Sequence, residues 1–299
     1  MRGPLREAWS VEHEAFTRVM HHYSKRSTVI PLAWQRRALG AFVPSSPPRG
    51  ATLEPVMADG VPSAWIRPDG ADPDRTLVYL HGGGYSIGSI DTHRDFIAKL
   101  ARRLGCVAFA VDYRLAPEHP FPAALDDALA AWRWLLAQGV DPSRTVLAGE
   151  SAGGGLTMST LVSLRDAAEP LPARAAVLSP WVDLTLSGRS HDDNARYDYL
   201  HRPVLETYVR RFVPRDVART HPLVSPVHAD LRGLPPLLVQ AGEAEALLDD
   251  ARMLAERARA DGVDVTLTTY PDMVHAFMLF QGVPTAAKAV DEIVAFLRP

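Results

Sequence analysis

Gly149-Glu150-Ser151-Ala152-Gly153 stands straight after an apolar run ending at Ala148 and straight before a helix-like stretch. In that setting Gly-x-Ser-x-Gly marks a nucleophile. The serine occupies a sharp strand-to-helix turn that exposes its hydroxyl at a helix N-terminus, where developing negative charge is favoured. Glycines two residues to either side let strand and helix approach without Cβ clashes. A glycine-rich phosphate or dinucleotide turn is the competing reading, suggested by Gly153-Gly154-Gly155. Neither G-x-G-x-x-G nor a lysine-bearing P-loop pattern follows, which disfavours it.

A serine nucleophile needs donors for the oxyanion, a base and an acid. His81-Gly82-Gly83-Gly84-Tyr85 closes an earlier apolar run. The N–H groups of Gly83 and Gly84, with that of Ala152, can face a developing oxyanion. His81 is the rival base by proximity, but it is expected instead to orient this loop through side-chain hydrogen bonds. Of the 11 histidines, His275 follows the last apolar run and so falls at a strand's C-terminal end, where sites in open α/β sheets collect. The chain order serine, acid, histidine also puts the base last. The acid should follow the run 237–241, where Glu243, Glu245, Asp249 and Asp250 crowd together. Helical spacing sets Asp249 and Asp250 at a helix start and leaves Glu243 and Glu245 in the loop, nearer to His275.

The elements that must position these residues alternate from about residue 76. Apolar runs at 76–80, 106–111, 145–148, 175–178, 237–241 and 263–267 read as strands buried on both faces. Stretches at 121–138, 156–168, 247–261 and 286–297 carry apolar residues near a 3.6 period, and Gly139 and Gly262 stop two of them. This pattern predicts an α/β class with a mostly parallel sheet and helices on both faces. Residues 1–45 look helical without a strand. Residues 184–222 are polar and irregular around one helical stretch, 204–212.

Composition narrows the function classes. A chain of 299 residues, 47% hydrophobic and 22% charged, fits a globular enzyme-sized protein rather than a disordered one. A net charge of -3 with no basic tract gives no footprint for nucleic acid. The lone Cys106 excludes an internal disulfide and a cysteine-rich zinc site. With no apolar signal segment and no run of about 18 apolar residues, the expectation is a soluble, cytoplasmic protein without membrane insertion. A homodimer stays open.

His81-Gly82-Gly83-Gly84, the stretch 112–122 (DYRLAPEHPFP) and Gly149-Glu150-Ser151-Ala152-Gly153-Gly154 together resemble the bacterial hormone-sensitive-lipase family of α/β-hydrolases. The resemblance runs from about residue 76 to the C-terminus. It implies a serine carboxylesterase acting on esters of short to medium acyl chains without metal or cofactor. It also implies a helical cap built from residues 1–45 and 184–222 over a core of 46–183 and 223–299. Two positions depart from the family pattern. The elbow commonly reads Gly-Asp-Ser-Ala-Gly, where this chain has Glu150. The acid motif commonly reads Asp-x-Leu-x-Asp, and the matching stretch here is Glu245-Ala246-Leu247-Leu248-Asp249. The resemblance therefore points to a triad of Ser151, His275 and Glu245, with Asp249 as the alternative acid.

Tyr85 and Phe277, beside the glycine loop and the histidine, are pocket candidates, with core packing as the competing expectation. An amide or N-acetyl deacylase would use the same triad. A non-catalytic small-molecule receptor on this fold would instead predict a broken triad, and this one is complete.

Overall fold

The parallel strands end together at the edge where Ser151 and His275 lie. A computed structural model describes residues 11–27, 29–41, 48–280 and 283–298. Its strands are β1 (Ala51–Ala58), β2 (Val61–Pro68), β3 (Asp72–Leu80), β4 (Cys106–Val111), β5 (Thr145–Glu150), β6 (Arg174–Leu178), β7 (Leu237–Gly242) and β8 (Val265–Tyr270). They form one sheet in the order β1-β2-β4-β3-β5-β6-β7-β8. β2 is antiparallel to both neighbours, and every pair from β4–β3 to β7–β8 is parallel.

The helices are α1 (Val11–Ser27), α2 (Leu32–Ala41), α3 (Ile90–Leu104), α4 (Ala123–Ala137), α5 (Ala152–Asp166), the single turn α6 (Ser190–Asp193), α7 (Arg202–Phe212), α8 (Leu248–Ala260) and α9 (Pro284–Leu297). Strands β4, β5 and β7 are buried along their whole length, as their apolar runs predict. Alternation along the strands divides the core. Leu77, Tyr79, Ala108 and Ala148 pack with residues of α3 and α9, whereas Val78, Leu80, Phe109 and Leu147 pack with α4, α5 and α8. Helices thus cover both faces of a mostly parallel sheet, which confirms the predicted α/β-hydrolase fold. Cys106 is buried at the start of β4, far from the strand ends that carry the site.

Three elements differ from the sequence reading. The β1–β2 hairpin was not foreseen, although Asp59-Gly60, with φ of 49° and 83°, is a two-residue turn of the kind that joins twisted strands. Helix α3 was also unread; Ser89 and Thr92 form a capping box at its start and left-handed Gly105 closes it. β8 begins at Val265 rather than 263. There the Val263 N–H closes the end of α8 on the Ala258 carbonyl, and the Asp264 carbonyl accepts from Leu237 N–H.

Helix α5 starts at Ala152, four residues before its apolar periodicity becomes legible. Glycines are poor helix formers, but Gly153 sits against the Leu80 carbonyl, where any Cβ would collide. Tertiary closeness decides the residue type here. Of the segment 1–45, residues 11–41 apart from 28 are described, and the rest lies outside the described residues. Met20 and Ser24 of α1, Gln35 and Leu39 of α2, and Val204, Leu205 and Tyr208 of α7 line one cavity together with Ser151 and His275. Among the described residues no helix is long and apolar enough to cross a membrane.

Candidate active site

Ser151 joins β5 to α5 with φ 55° and ψ −122°, a left-handed backbone for a residue with a side chain. Such strain costs about 1–3 kcal/mol and persists only where the surroundings enforce it. Here the Ser151 N–H donates to the Leu178 carbonyl (2.9 Å), and its carbonyl accepts from the N–H groups of Gly155 (3.1 Å) and Trp181 (2.9 Å). These bonds pin the turn on both sides and hold the serine at the N-terminus of α5.

The cavity above it measures about 420 Å³ and is lined by Gly83, Gly84, Ser151 and His275, among others. Gly83 has φ 115°, and its carbonyl accepts from the N–H groups of Ser86 and Ile87, both at 3.0 Å. A Cβ on Gly83 would strike the Ile87 carbonyl, so only glycine fits this turn. His81 Nδ1 donates to the Gly82 carbonyl (2.7 Å), and its ring stacks on Tyr113.

Behind the loop lies Glu150. Its carboxylate is buried, accepts from the Tyr79 hydroxyl (2.5 Å) and the Gly82 N–H, and faces His93 Nε2 at 2.9 Å. The other ring nitrogen of His93 meets the Ser89 carbonyl at 3.1 Å. The same nitrogen lies 2.8 Å from the Thr92 hydroxyl. Burial alone would lower its pKa, but the Glu150 carboxylate outweighs that and raises it. For Glu150, burial works upward, and the charge and hydrogen bond of His93 carry the net shift downward. Burial and the neighbouring His93 charge push His81 down to about 4, so His93 carries the charge of this stacked pair.

His275 is buried, and burial pushes its imidazole down to about 3, which leaves it in the neutral, proton-accepting form. Glu245 is fully buried in the loop after β7. Its Oε2 accepts from Ser179 Oγ (2.6 Å) and the Gly242 N–H (2.9 Å), and Ser179 Oγ in turn accepts from the Ala276 N–H (3.1 Å). One hydroxyl therefore links the Glu245 carboxylate to the residue next to His275. Burial drives the Glu245 carboxyl well above its ordinary range. The other acids of this cluster are engaged elsewhere. Glu243 accepts from Thr269 Oγ1 (2.8 Å), and Asp249 accepts from the Ser190 N–H (2.9 Å). Asp250 accepts from the N–H groups of Val182 and Asp183 and faces His191 Nε2 at 3.0 Å.

The fold and this arrangement can be set beside known proteins. Residues 77–279 match a family described as having the alpha/beta hydrolase fold. An acetyl-hydrolase of Streptomyces hygroscopicus is 46% identical over 239 residues, spanning 78% of each chain. The carboxylesterase NlhH of Mycobacterium tuberculosis is 36% identical over 253 residues, 82% of this chain and 75% of that protein. The crystal structure of an esterase from the bacterial hormone-sensitive lipase family superposes with a TM-score of 0.90 at 43% identity, covering 95% of this chain and 96% of the other. The chain belongs to the bacterial hormone-sensitive-lipase family. This hormone-sensitive-lipase-type α/β-hydrolase is a serine ester hydrolase, a carboxylesterase in its broad activity.

Within this family member, Ser151, His275, Gly83, Gly84 and Glu150 all reach the cavity wall, and Glu245 lies buried behind it. Ala152 is buried as the first residue of α5. The two pocket candidates need correction. The Tyr85 ring is buried and stacks on Phe212 at 3.7 Å, and Phe277 is fully buried against Tyr270. Left-handed backbone at Tyr85 (φ 56°) and at Ala276 (φ 50°) accompanies the inward course of these rings. The wall is instead supplied by Trp181, Leu200, Val204, Leu205 and Tyr208, with Met20 and Leu39 from the N-terminal helices.

Sequence reasoning missed His93 because helix α3 was unread; its capping signal at Ser89 was the available clue. It also missed Asp198 and Tyr199, which sit in the irregular insertion. The buried Asp198 carboxylate accepts from the N–H groups of Ala246 (2.7 Å), Tyr199 (2.7 Å) and His275 (3.3 Å). No local pattern in the sequence announces that role.

Proposed function

We propose that Ser151, His275 and Glu245 act as the catalytic triad of a carboxylesterase for short to medium acyl esters, with the N–H groups of Gly83, Gly84 and Ala152 as the oxyanion hole. The observation that carries this reading is the strained Ser151 turn, which shares one cavity with the glycine loop and a neutral histidine. His275 Nδ1 and Glu245 Oε1 are both buried without a hydrogen-bond partner among the described residues. A bond between them would satisfy both atoms and fix the imidazole tautomer with Nε2 free to accept.

Ser151 Oγ then attacks the acyl carbonyl as His275 Nε2 takes its proton. The oxyanion collects on the loop and helix N–H groups, each such donor typically contributing about 3–4 kcal/mol to the transition state. His275 next gives its proton to the leaving alkoxide, releasing the alcohol. Water, deprotonated by the same imidazole, attacks the acyl-enzyme and frees the acid. Glutamate is one methylene longer than the aspartate common at this position, and the hydrolase class accepts either.

The helices α1, α2 and α7 serve as the cap, because Met20, Leu39, Val204, Leu205 and Tyr208 line the cavity together with Ser151. A cavity of about 420 Å³ suits acyl chains of short to medium length. Release of acetyl groups, from oxygen or from nitrogen, is the second reading, favoured by the relative described as an acetyl-hydrolase.

An acyl-length series of p-nitrophenyl esters run beside N-acetyl amides tests both readings. Turnover of C2–C8 esters exceeding that of the amides supports the first, and the reverse supports N-deacetylation. An organophosphonate should label Ser151 alone, and Ser151→Ala should lose turnover down to the residual level of binding and oxyanion stabilisation. Labelling at another residue would remove the triad.

A further inference from the structure

The two loops that bring His275 and Glu245 together are gripped by the insertion above them. Asp198 lies between α6 and α7, outside the α/β core. One of its carboxylate oxygens accepts from the His275 and Tyr199 N–H groups, the other from the N–H of Ala246, the neighbour of Glu245. Its backbone carbonyl accepts from His21 Nδ1 of α1 at 2.6 Å. Next to it, the Tyr199 hydroxyl donates to the His275 carbonyl (2.8 Å). Asn194 Nδ2 donates to the carbonyls of Glu243 (3.1 Å) and Glu245 (2.9 Å). A single buried side chain thus bridges the base loop and the acid loop, and the same residue is bonded to the first helix over the cavity.

We propose that Asp198 is a positioning residue that sets the His275 loop and the Glu245 loop in register with each other and with helix α1. The inference rests on the triad reading above. The physical reason is that neither loop belongs to a strand or helix ladder at these points. Their peptide groups need acceptors that the core does not supply, and a buried carboxylate offers several in fixed geometry. Seating the helices over the cavity then aligns the base with the acid, so cap placement and proton transfer are coupled through one residue, its carbonyl on α1 and its carboxylate on the two loops.

Asp198→Asn tests this at constant size. Whichever way the amide turns, its NH₂ meets a peptide N–H where an oxygen stood, so one of the two loops is released. The measurement is kcat and KM on p-nitrophenyl acetate, with kcat referred to sites titrated by an organophosphonate, together with the thermal midpoint. The expected result is a fall in kcat per titrated site of about 10- to 100-fold with KM changed less than about threefold, the scale of a small misplacement in a reacting group. Tyr199→Phe, which removes only the bond to the His275 carbonyl, should lower kcat by about threefold to tenfold in the same sense.

A merely structural role would lower the thermal midpoint and the number of titratable sites while leaving kcat per site within twofold of wild type. That result overturns the proposal. If Asp198→Asn yields no folded protein, Tyr199→Phe decides, and unchanged kcat there overturns it equally. Ser151→Ala run in parallel separates the two levels. Retained turnover in Ser151→Ala removes the triad reading and this inference with it. A dead Ser151→Ala beside a wild-type-like Asp198→Asn removes the inference alone.

Discussion

His93 and the buried Glu150 carboxylate meet directly behind Ser151, with Nε2 2.9 Å from Oε1. Glu150 immediately precedes Ser151 in the chain, and the oxygen that faces His93 also accepts the Gly82 N–H. The pair therefore joins helix α3, the glycine loop and the elbow through one carboxylate. This supplies a reason for an acid at the second elbow position, where glutamate replaces the more common aspartate.

Removing that carboxylate's charge should be expensive. Glu150→Gln leaves His93 without its counter-ion and weakens the acceptor for Gly82, and breaking such a buried pair typically destabilises by about 3–5 kcal/mol. Urea unfolding should show a loss on that scale, together with a lower kcat as the glycine loop loosens. A change below about 1 kcal/mol would mean that the pair contributes little to holding the loop.

The same pair gives stability a pH dependence whose sign follows from the two shifts. The folded-state pKa of His93 is raised from 6.5, so its contribution is complete below the unfolded value and is lost as pH rises through the folded one. Glu150 is lowered from 4.5, so its contribution is complete above that value and is lost as pH falls through its folded pKa. Thermal midpoints should decline on the alkaline side of the raised histidine value, and His93→Gln should remove that component. An alkaline decline of equal size in the variant would assign it to other groups.

For the acid of the triad, Glu245→Gln and Asp249→Asn should separate cleanly. Loss of the carboxylate facing the imidazole costs about 10⁴ in kcat in the serine-protease example of such an acid-to-amide change. Glu245→Gln should fall by several orders of magnitude with KM nearly constant. Asp249 accepts from the Ser190 N–H, so Asp249→Asn should cost about 1 kcal/mol of stability and little activity. Steady-state kinetics of the two variants check the ranking, and the reverse order would make Asp249 the acid.

Met20 reaches the cavity wall from α1, although that helix is remote in sequence from every catalytic candidate. Met20→Trp should fill part of the cavity and shift the acyl-length profile toward shorter chains, while acetate hydrolysis keeps a kcat near wild type. A profile unchanged from C2 to C8 would place the acyl chain elsewhere and remove α1 from the substrate wall.

The amino-acid sequence by itself determined the parts of this protein whose physics is local. Buried parallel strands need continuous apolar runs, and those of β3 to β7 are legible at the right places. The elbow needs small residues around a serine, and the glycine loop needs residues without Cβ, so both are written as short contiguous patterns. The position of His275 after the last parallel strand follows from chain order. Tertiary structure alone decided what depends on residues far apart in the chain. Tyr85 and Phe277 stand beside catalytic motifs, yet their rings are buried in the core because Phe212 and Tyr270 offer them apolar partners. The Glu150 carboxyl is held below its ordinary range in the interior because His93, 57 positions earlier in the chain, lies 2.9 Å from it. Asp198 comes to bridge two loops that follow it by about 48 and 77 residues, through peptide N–H groups that every residue type carries. Backbone donors leave no signature in residue type, so that bridge is visible only once the chain is folded.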